Sequence, residues 1–359
     1  MALNPTGIMS IGGPVVGSSI NLELGLSATA NSSLNQANFR TLAGIPSGVI
    51  ALSNFYGKSN GLQRGMITFV AFTAFQNFIS SVGVIASDTS CNGPGRIGLA
   101  STPYGGDKGI IGYGIPTPNA VTNISNLVSN TGVIAASSPG VGTARGGISA
   151  CGYGGDKGMF IGGQRYPNLP TSTGIYAITN LVSNTGAVAA DTPMIGPARW
   201  GAGAASYGGD KGILGYGMIS NPATRTTGFQ LISNTGVIAA VGQSIGTPRY
   251  QSTAAPYGGD KAIFCYGDAV GAPITSMANT VSNTGVVSSD IPTASGASRR
   301  RGACGYGGDK GIFAYGNAPT PTAGLFSNLV SNTGIIAANT PGVGTARVDS
   351  SGLSFSFTP

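Results

Sequence analysis

The chain of 359 residues contains no histidine and a single glutamate, Glu23, and only 8% of its residues are charged. Without histidine, neither a Ser-His-Asp triad nor a histidine-ligated metal site can form. Long apolar runs are also missing, because the longest, near residues 66–75, is too short and too interrupted to span a bilayer. The first residues lack the basic and apolar regions of a signal peptide. We therefore expect no membrane insertion.

Two short phrases recur with a period of about fifty residues. Tyr-Gly-Gly-Asp-Lys occurs five times, with successive copies 49, 54, 50 and 49 residues apart, at Tyr104, Tyr153, Tyr207, Tyr257 and Tyr306. Ser-Asn-Thr-Gly keeps step with it, beginning at Ser129, Ser183, Ser233, Ser282 and Ser331. A fixed period of this length indicates one supersecondary unit copied in tandem. A residue present in every copy is then better explained by the geometry of the unit than by catalysis.

One copy, residues 145–191, divides into four short strands. Gly-Gly-Asp-Lys is a hairpin signal, because glycine adopts positive φ and aspartate favours turns. It joins strands predicted over residues 146–152 and 158–163, and Ser-Asn-Thr-Gly joins a third strand over residues 176–182 to a fourth over residues 187–190. Four antiparallel strands in about 45–50 residues is the size of a β-propeller blade.

The ends of the repeat region predict six blades closed into a ring. The glycine of the second turn occurs in six copies, at Gly83, Gly132, Gly186, Gly236, Gly285 and Gly334. The first copy lacks its first strand, whereas a surplus strand follows Arg347 at the C-terminus. Pairing the two would remove exposed edges. We predict a mainly β protein whose six-bladed propeller spans residues 61–359 and is closed by the C-terminal strand.

The four cysteines do not suggest disulfides. Cys151 and Cys304 precede the repeated tyrosine in copies that lie on opposite sides of such a ring, too far apart for a disulfide. Cys265 belongs to a different strand. We expect all four, including Cys91, to be reduced and buried, as in a protein assembled in a cytoplasm.

The blade resembles a kelch repeat. The resemblance rests on Arg145 before the inner strand, the turn at residues 154–157, and a hydrophobic strand that ends in Gly162 and Gly163. The outer-strand tryptophan and tyrosine of kelch repeats are replaced here by valine, isoleucine and alanine. The resemblance therefore implies a kelch-like propeller.

The predicted topology sorts the turns by face. Both repeated turns lie on one side of the ring, the constant face, and hardly vary. The loops between second and third strands lie on the opposite side, the variable-loop face, and differ in length and content at residues 164–179, 218–229, 268–279 and 317–327. Constant hairpins below divergent loops are typical of a binding scaffold.

An arginine slot precedes the first strand of each blade. It holds Arg96, Arg145, Arg199, Arg249 and Arg347, whereas Ser298 occupies the sixth slot, beside three arginines. We expect guanidinium groups around one mouth of the central channel, where they bind an anion or glycan or, alternatively, bond carbonyls between blades. Residues that depart from the repeat are stronger candidates. The predicted ligand-binding residues are Arg145, Arg165, Tyr166, Arg199, Trp200, Arg225, Arg249, Tyr250 and Arg300.

The repeated aspartates are candidate catalytic carboxylates. Paired carboxylates can cleave glycosides at suitable separations, but each of these aspartates sits beside a lysine in a tight turn, which turn chemistry explains. They are Asp107, Asp156, Asp210, Asp260 and Asp309. We predict that the protein is not an enzyme and that it has no catalytic residue, no cofactor and no metal site.

The net charge of +7 would suit a nucleic-acid partner. Five of the six lysines, however, are neutralised by the adjacent aspartate of the turn. No interleaving of aromatic and basic residues and no recognition helix supports such a partner. We therefore predict no nucleic-acid binding.

Residues 1–60 do not share the repeat, and we predict a small N-terminal attachment module with some helix there. Residues 31–33 are suited to cap a short helix that carries Leu34, Phe39 and Leu42. Because sixty residues bury little apolar surface, we expect this module to pack against a partner or against its own copies. The predicted attachment residues are Leu22, Leu24, Leu34, Phe39, Leu42, Phe55 and Tyr56.

This segment resembles the N-terminal module of many virion proteins of tailed bacteriophages. The resemblance rests on residues 19–25, on residues 33–35 leading to residues 40–44, and most specifically on Ser-Gly-Val-Ile-Ala-Leu-Ser-Asn-Phe-Tyr-Gly-Lys at residues 47–58. In that family the module precedes assorted C-terminal domains of tail and fibre proteins. The resemblance therefore implies attachment to other tail or baseplate proteins, and a virion location after assembly in the host cytoplasm. The repeated propeller phrase is also similar to phage-encoded sequence.

Three interpretations remain open. The first is a non-enzymatic tail-fibre or baseplate-associated protein whose propeller binds a host-surface glycan or protein. The second is a purely architectural virion protein whose propeller packs against neighbouring subunits. The third is a cellular kelch-type adaptor that binds acidic peptides. The divergent loops favour the first over the second, and the N-terminal module argues against the third.

Overall fold

The computed structural model describes residues 11, 20–23, 33, 34, 36, 39, 49, 51, 63–70, 73–117, 120–165, 174–219, 224–270, 274–317 and 323–356. The chain divides into two compact units: Met1–Leu62 with Ser356–Pro359, and Gln63–Phe355. Within the described residues, α-helix is confined to α1 (Ile20–Glu23) and to Phe39. None of the described helices is long and apolar enough to cross a membrane.

The first unit is described at few positions. Ile20 and Asn21 are buried in α1, and the Asn21 amide donates to the Ile11 carbonyl at 2.8 Å. Of the helix expected after residue 33, Leu34 is a half-buried turn residue and Phe39 is buried and helical. The other predicted attachment positions, Leu24, Leu42, Phe55 and Tyr56, lie outside the described residues, as does the side chain of Leu22. Their role in attachment stays a prediction.

The second unit consists of short antiparallel strands in a six-bladed β-propeller arrangement, which confirms the predicted blade number. Blade 1 begins with β1 (Gln63–Val70), β2 (Thr73–Ile79) and β3 (Thr89–Ser90). Blade 2 contains β4 (Ala100–Tyr104), β5 (Lys108–Thr117) and β6 (Ala120–Val128). Blade 3 contains β7 (Ser149–Tyr153), β8 (Lys157–Ile161), β9 (Ile178–Val182) and β10 (Thr192–Pro193).

The remaining blades repeat this order. Blade 4 contains β11 (Gly203–Tyr207), β12 (Lys211–Gly215), β13 (Gly228–Ile232) and β14 (Gln243–Ser244). Blade 5 contains β15 (Arg249–Tyr250), β16 (Thr253–Tyr257), β17 (Lys261–Cys265), β18 (Asp268–Ala269) and β19 (Ala278–Val281). Blade 6 contains β20 (Gly302–Tyr306), β21 (Lys310–Ala314), β22 (Phe326–Val330) and β23 (Thr340–Pro341), and the last strand is β24 (Ser351–Ser356).

The C-terminal strand closes the ring, as the sequence predicted. β24 pairs with β1 and becomes the inner strand of blade 1, in the order β24-β1-β2-β3. Hydroxyl groups join it to both neighbouring inner strands: Ser351 contacts Ser101 of β4 at 2.6 Å, and Ser354 accepts from the Gly305 amide of β20 at 2.9 Å. Closure therefore supplies blade 1 with an inner strand and pairs the edge of β1 that would otherwise be free.

The middle strands are buried on both sides because every blade is covered by two neighbours. In β8, Gly158, Met159, Phe160 and Ile161 are all buried, so the strand reads as a continuous apolar run rather than an alternating one. The cores lie between blades: Met159 and Ile161 pack with Leu214 and Ile232 of blade 4.

The fourth strand differs from the prediction. The apolar run after the second turn contributes one bridge, Val182 to Val188 in blade 3, and the paired strand is the dipeptide β10 further along. An amide side chain of the third strand explains the difference, because Asn180 donates to the Ala189 carbonyl at 2.9 Å. This carbonyl therefore bonds a side chain instead of a backbone amide of the third strand. Equivalent bonds form in the other blades, from Asn77, Asn126, Gln230, Asn279 and Asn328.

The repeated tyrosine packs against the repeated glycine of the next blade. Tyr153 at the end of β7 lies against Gly236 in the second turn of blade 4, and a Cβ added to Gly236 would lie 2.9 Å from its ring. The same contact recurs around the ring. In blade 1, Phe355 of β24 takes the place of the tyrosine and lies against Gly132. These contacts explain why both phrases keep the same period.

Of the cysteines, Cys151, Cys265 and Cys304 are buried and free, as expected. Cys91 is free but only half-buried, so the expectation that it is buried was wrong. It follows the two-residue strand β3, which pairs only with β2 at the outer edge of blade 1.

Gly236→Ala is expected to destabilise the protein more than Gly155→Ala. Both glycines have positive φ, +83° and +78°, so either alanine is strained, by roughly 1–2 kcal/mol. Only at residue 236 does the new methyl also meet Tyr153, whereas no described atom lies within 4 Å of it at residue 155. That overlap adds about 1–3 kcal/mol. Denaturant unfolding of both variants measures the difference, and equal losses would contradict close packing between blades.

Candidate ligand site at the channel mouth

The arginine slots are occupied by buried side chains. Arg145 has no exposed surface, donates from Nε to the Gly162 carbonyl at 2.6 Å, and donates from Nη2 to Oδ1 of Asn180 at 2.6 Å. Its guanidinium carbon lies 4.2 Å from the ring centre of Tyr113, in the preceding blade. Arg145 thus makes hydrogen bonds within blade 3 and a cation–π contact with blade 2, and these interactions hold the two blades together.

The same arrangement recurs around the ring. Guanidinium groups lie over an aromatic ring of the preceding blade in the pairs Arg96–Phe69, Arg249–Tyr216, Arg301–Tyr266 and Arg347–Tyr315. All of these rings belong to residues with positive φ, between 59° and 65°. Such a backbone conformation is strained for a non-glycine residue, and the stacking on arginine helps to offset the strain.

In blade 6 the buried arginine comes from a position other than the aligned slot. Ser298 occupies the aligned slot and is buried, but Arg301, three residues later, donates to Asn328 Oδ1 at 2.6 Å and to the Phe313 carbonyl at 2.9 Å. Arg301 thus reaches the equivalent asparagine from the position that Ile148 holds in blade 3. Sequence alignment alone could not identify it, because its backbone position differs.

Arg199 is only partly satisfied, as Arg96 and Arg347 also are. It donates to the carbonyls of Tyr216 and Gly228, but its Nε and Nη2 are buried without a partner among the described residues. The position equivalent to the stacking aromatic is Gly162, and Gln230 replaces the asparagine. Burial lowers the pKa of Arg199 to about 10.

Three predicted ligand-binding residues, Arg145, Arg199 and Arg249, therefore lie inside the propeller wall, at most 1% exposed. This placement supports the alternative reading of the slot, in which each arginine bonds groups between blades. A solute in the channel does not reach these guanidinium groups in the structure described here.

A second ring lies two residues after the slot, at the mouth of the central channel. Its members are Gly98, Gly147, Gly201, Gln251, Arg300 and Asp349, all with φ between 54° and 62°. Backbone amides link them in order: each of the last five donates to the carbonyl of the member before it, at 2.6–3.2 Å. Glycine suits this left-handed conformation in blades 2–4, whereas blades 5, 6 and 1 carry polar side chains there.

These rings border a cavity of about 160 Å³ on the variable-loop side of the channel, lined by the start of all six inner strands. Several polar atoms in its lining are buried without a hydrogen-bond partner among the described residues. They are Trp200 Nε1, Gln251 Oε1, Ser252 Oγ, Arg300 Nε and Ser350 Oγ. Unsatisfied polar atoms are costly, and their concentration in one cavity indicates a site that a polar ligand completes.

A cluster of aromatic and charged side chains, the rim, adjoins this cavity through Trp200, which lines it. Trp200 and Tyr250 meet edge to face at 5.3 Å between ring centres, and Arg225 lies 5.1 Å from the Tyr250 ring centre. Asp268 accepts from Arg225 at 2.8 Å and also bonds Arg299. The rim is thus a connected cluster from blade 4 to blade 6.

A further ion pair lies within the lining. Arg300 Nη1 donates to Asp349 Oδ2 at 3.0 Å. Burial in the channel raises the pKa of Asp349, although Arg300 and Arg299 act in the opposite direction.

The structure therefore brings together four predicted residues, Trp200, Arg225, Tyr250 and Arg300. Arg165 is exposed and does not line the cavity, and Tyr166 lies outside the described residues. Sequence reasoning missed Gln251, Asp349, Asp268 and Arg299. The first two carried a signal, because they replace a glycine found two residues after the slot in blades 2–4.

The repeated aspartates of the constant face are turn residues paired with their neighbours. Asp156, for example, accepts from Lys157 at 2.9 Å, and this hydrogen bond lowers its pKa. Among the described residues, no group of three or more cysteine, aspartate or glutamate side chains is placed to hold a metal ion.

Comparison of the sequence with known families finds no matching family model, and no curated protein matches it at a significant level.

Asp191→Asn is expected to reduce stability near neutral pH and to weaken its dependence on acid. Asp191 accepts from the Thr143 hydroxyl at 2.6 Å and from Asn180 at 2.9 Å. Burial raises its pKa, but these bonds and Arg145 outweigh that effect and hold the pKa below 3.8. A lowered folded-state pKa means that the stabilisation is present above the unfolded value and is lost as pH falls through the folded one. We expect a loss of about 1–2 kcal/mol at neutral pH.

Urea unfolding across the acid range measures this effect. The difference in unfolding free energy between wild type and Asp191→Asn should shrink as pH drops below about 4. Asp156→Asn is the matched control, since its carboxylate remains in solvent and its loss should matter less. A difference that stays constant with pH would contradict the assignment.

Proposed function

We propose that the chain is a non-enzymatic bacteriophage tail protein, a fibre or baseplate-associated component, whose propeller recognises a glycan on the host surface. In this proposal the N-terminal module, with some helix, attaches the chain to other tail or baseplate proteins, and assembly takes place in the host cytoplasm. The blades are of a kelch-like type. The observation that carries the recognition role is the cavity at the channel mouth with its unpartnered polar atoms.

The chemistry of the rim suits a sugar. A sugar ring has an apolar C–H face and a periphery of hydroxyl groups. Trp200 and Tyr250 supply rigid apolar surface with polar ends, while the unpartnered groups of the lining can bond hydroxyls. A mostly preformed pocket with a few well-placed polar groups is the usual form of a small-ligand site.

The carboxylates at the mouth support a binding role rather than a hydrolytic one. Asp349 is paired with Arg300, and Asp268 is held by both Arg225 and Arg299. A glycosidase needs one carboxylic acid and one free carboxylate that flank the bond. Both carboxylates here are instead engaged by arginines.

One observation favours the alternative, an architectural virion protein. The residue after the second turn is an exposed β-branched side chain in five blades, at Val84, Val133, Val237, Val286 and Ile335, each about 60–70% exposed. This apolar set on the constant face suits packing against a neighbouring subunit. It is compatible with recognition on the opposite face, since the two surfaces are distinct.

Binding of the full-length chain to bacterial host cells tests the proposal. Labelled protein is expected to bind host cells and to block adsorption of the phage. Trp200→Ala should weaken cell binding about tenfold or more, because buried aromatic side chains dominate binding energies. Val133→Ser is the matched control on the constant face and should bind cells as wild type does.

The opposite result would favour the architectural alternative. In that case folded protein does not bind cells, and Val133→Ser with Val237→Ser lowers incorporation into particles while Trp200→Ala does not. Quantitative adsorption assays and the protein content of purified particles measure the two outcomes.

A further inference from the structure

We infer that the channel-mouth cavity takes the carboxylate-bearing terminal sugar of an acidic glycan. This inference rests on the proposed function and specifies its ligand.

Donors outnumber acceptors among the unpartnered groups. Trp200 Nε1 and Arg300 Nε can only donate, whereas Gln251 Oε1 can only accept. The hydroxyls of Ser252 and Ser350, both more than nine-tenths buried, can do either. A ligand rich in acceptor oxygens satisfies this set, and a carboxylate offers more acceptor positions than a neutral hydroxyl.

The cavity admits a small ligand. Its volume of about 160 Å³ corresponds to roughly five water molecules at about 30 Å³ each. That space suits one sugar ring or a smaller molecule. Because the cavity opens at the channel mouth, the rest of a glycan can extend outward across the variable-loop face.

The local charge favours an anion. Arg300 lines the cavity, and Arg225 and Arg299 belong to the adjoining rim, against the carboxylates of Asp268 and Asp349. Arg300 bonds Asp349 through Nη1 and leaves Nε unpartnered. A second carboxylate can therefore bind the free edge of this guanidinium without displacing Asp349.

Backbone strain is present at the polar residues of the mouth, as it is at the five aromatic residues that stack on the slot arginines. Gln251, Arg300 and Asp349 have φ of 54°, 57° and 54°, at positions where blades 2–4 carry glycine. Glycine adopts this conformation without strain, so the polar side chains make the ring less stable than glycine would. Strained non-glycine residues concentrate at functional sites, and three adjacent ones here border one cavity.

Fluorescence of Trp200 provides the test, because it is the only tryptophan of the chain. Full-length protein is titrated with glucuronate, with glucose and with inorganic phosphate. Glucuronate is expected to change the Trp200 emission saturably, with glucose at least about tenfold weaker and phosphate giving no saturable change.

Three variants locate the effect. Arg300→Gly should lose glucuronate binding while the protein stays folded, since relief of the backbone strain offsets the lost ion pair with Asp349. Asp349→Asn should bind glucuronate more tightly, because a neighbouring negative charge is removed. Lys157→Gln removes one positive charge on the constant face and should leave binding unchanged.

Several results would overturn the inference. These are no response to glucuronate, an equal response in Arg300→Gly, an equal affinity for glucose, or equal binding of phosphate, which would indicate a general anion site.

Cell binding measured in parallel separates this inference from the proposed function. Glucuronate binding without any binding to cells would keep the sugar site and reject host recognition. Cell binding that Arg300→Gly does not change, with no response to glucuronate, would reject the sugar site and leave host recognition in place.

Discussion

An arginine before each inner strand is buried between two blades, and several repeated side chains bond its guanidinium group or stack on it. A buried guanidinium group is costly unless its donors are matched. In most blades an asparagine of the third strand accepts from it, and an aromatic ring at the end of the preceding blade's second strand lies over it. The same asparagine bonds a carbonyl of the fourth segment. This asparagine therefore positions the buried arginine and also holds the irregular outer segment of its blade.

Closure extends these contacts around the whole ring. Phe355 packs where the other blades have tyrosine, and Asp88 in blade 1 bonds Arg347 and Thr345, which lie at the other end of the propeller sequence. Every blade is held by two neighbours through contacts that recur around the ring. The ring is therefore stable without changes in the inner strands. Variation is then free to accumulate at the channel mouth and in the loops of one face.

The channel mouth shows how a repeated scaffold can hold an asymmetric site. Six equivalent positions share one strained backbone conformation, and three of them carry polar side chains instead of glycine. Trp200 and Tyr250 lie beside this polar half. The asymmetry arises from changes at single positions, while backbone hydrogen bonds link these positions in order from Gly98 to Asp349. The proposed recognition of a glycan follows from this polar, aromatic half of the mouth.

The sequence by itself determined the repeat, the six blades, the position of the hairpin turns and the closing strand, because turn chemistry and periodicity are local properties of the chain. It also selected Trp200, Arg225, Tyr250 and Arg300 as departures from the repeat. Only the tertiary structure decided that Arg145, Arg199 and Arg249 are buried, that Arg301 replaces the missing arginine of the Ser298 slot, and which residues border the cavity. The cavity joins residues as distant as Gly98 and Asp349, and their proximity exists only once ring closure brings the first and last strands of the propeller together.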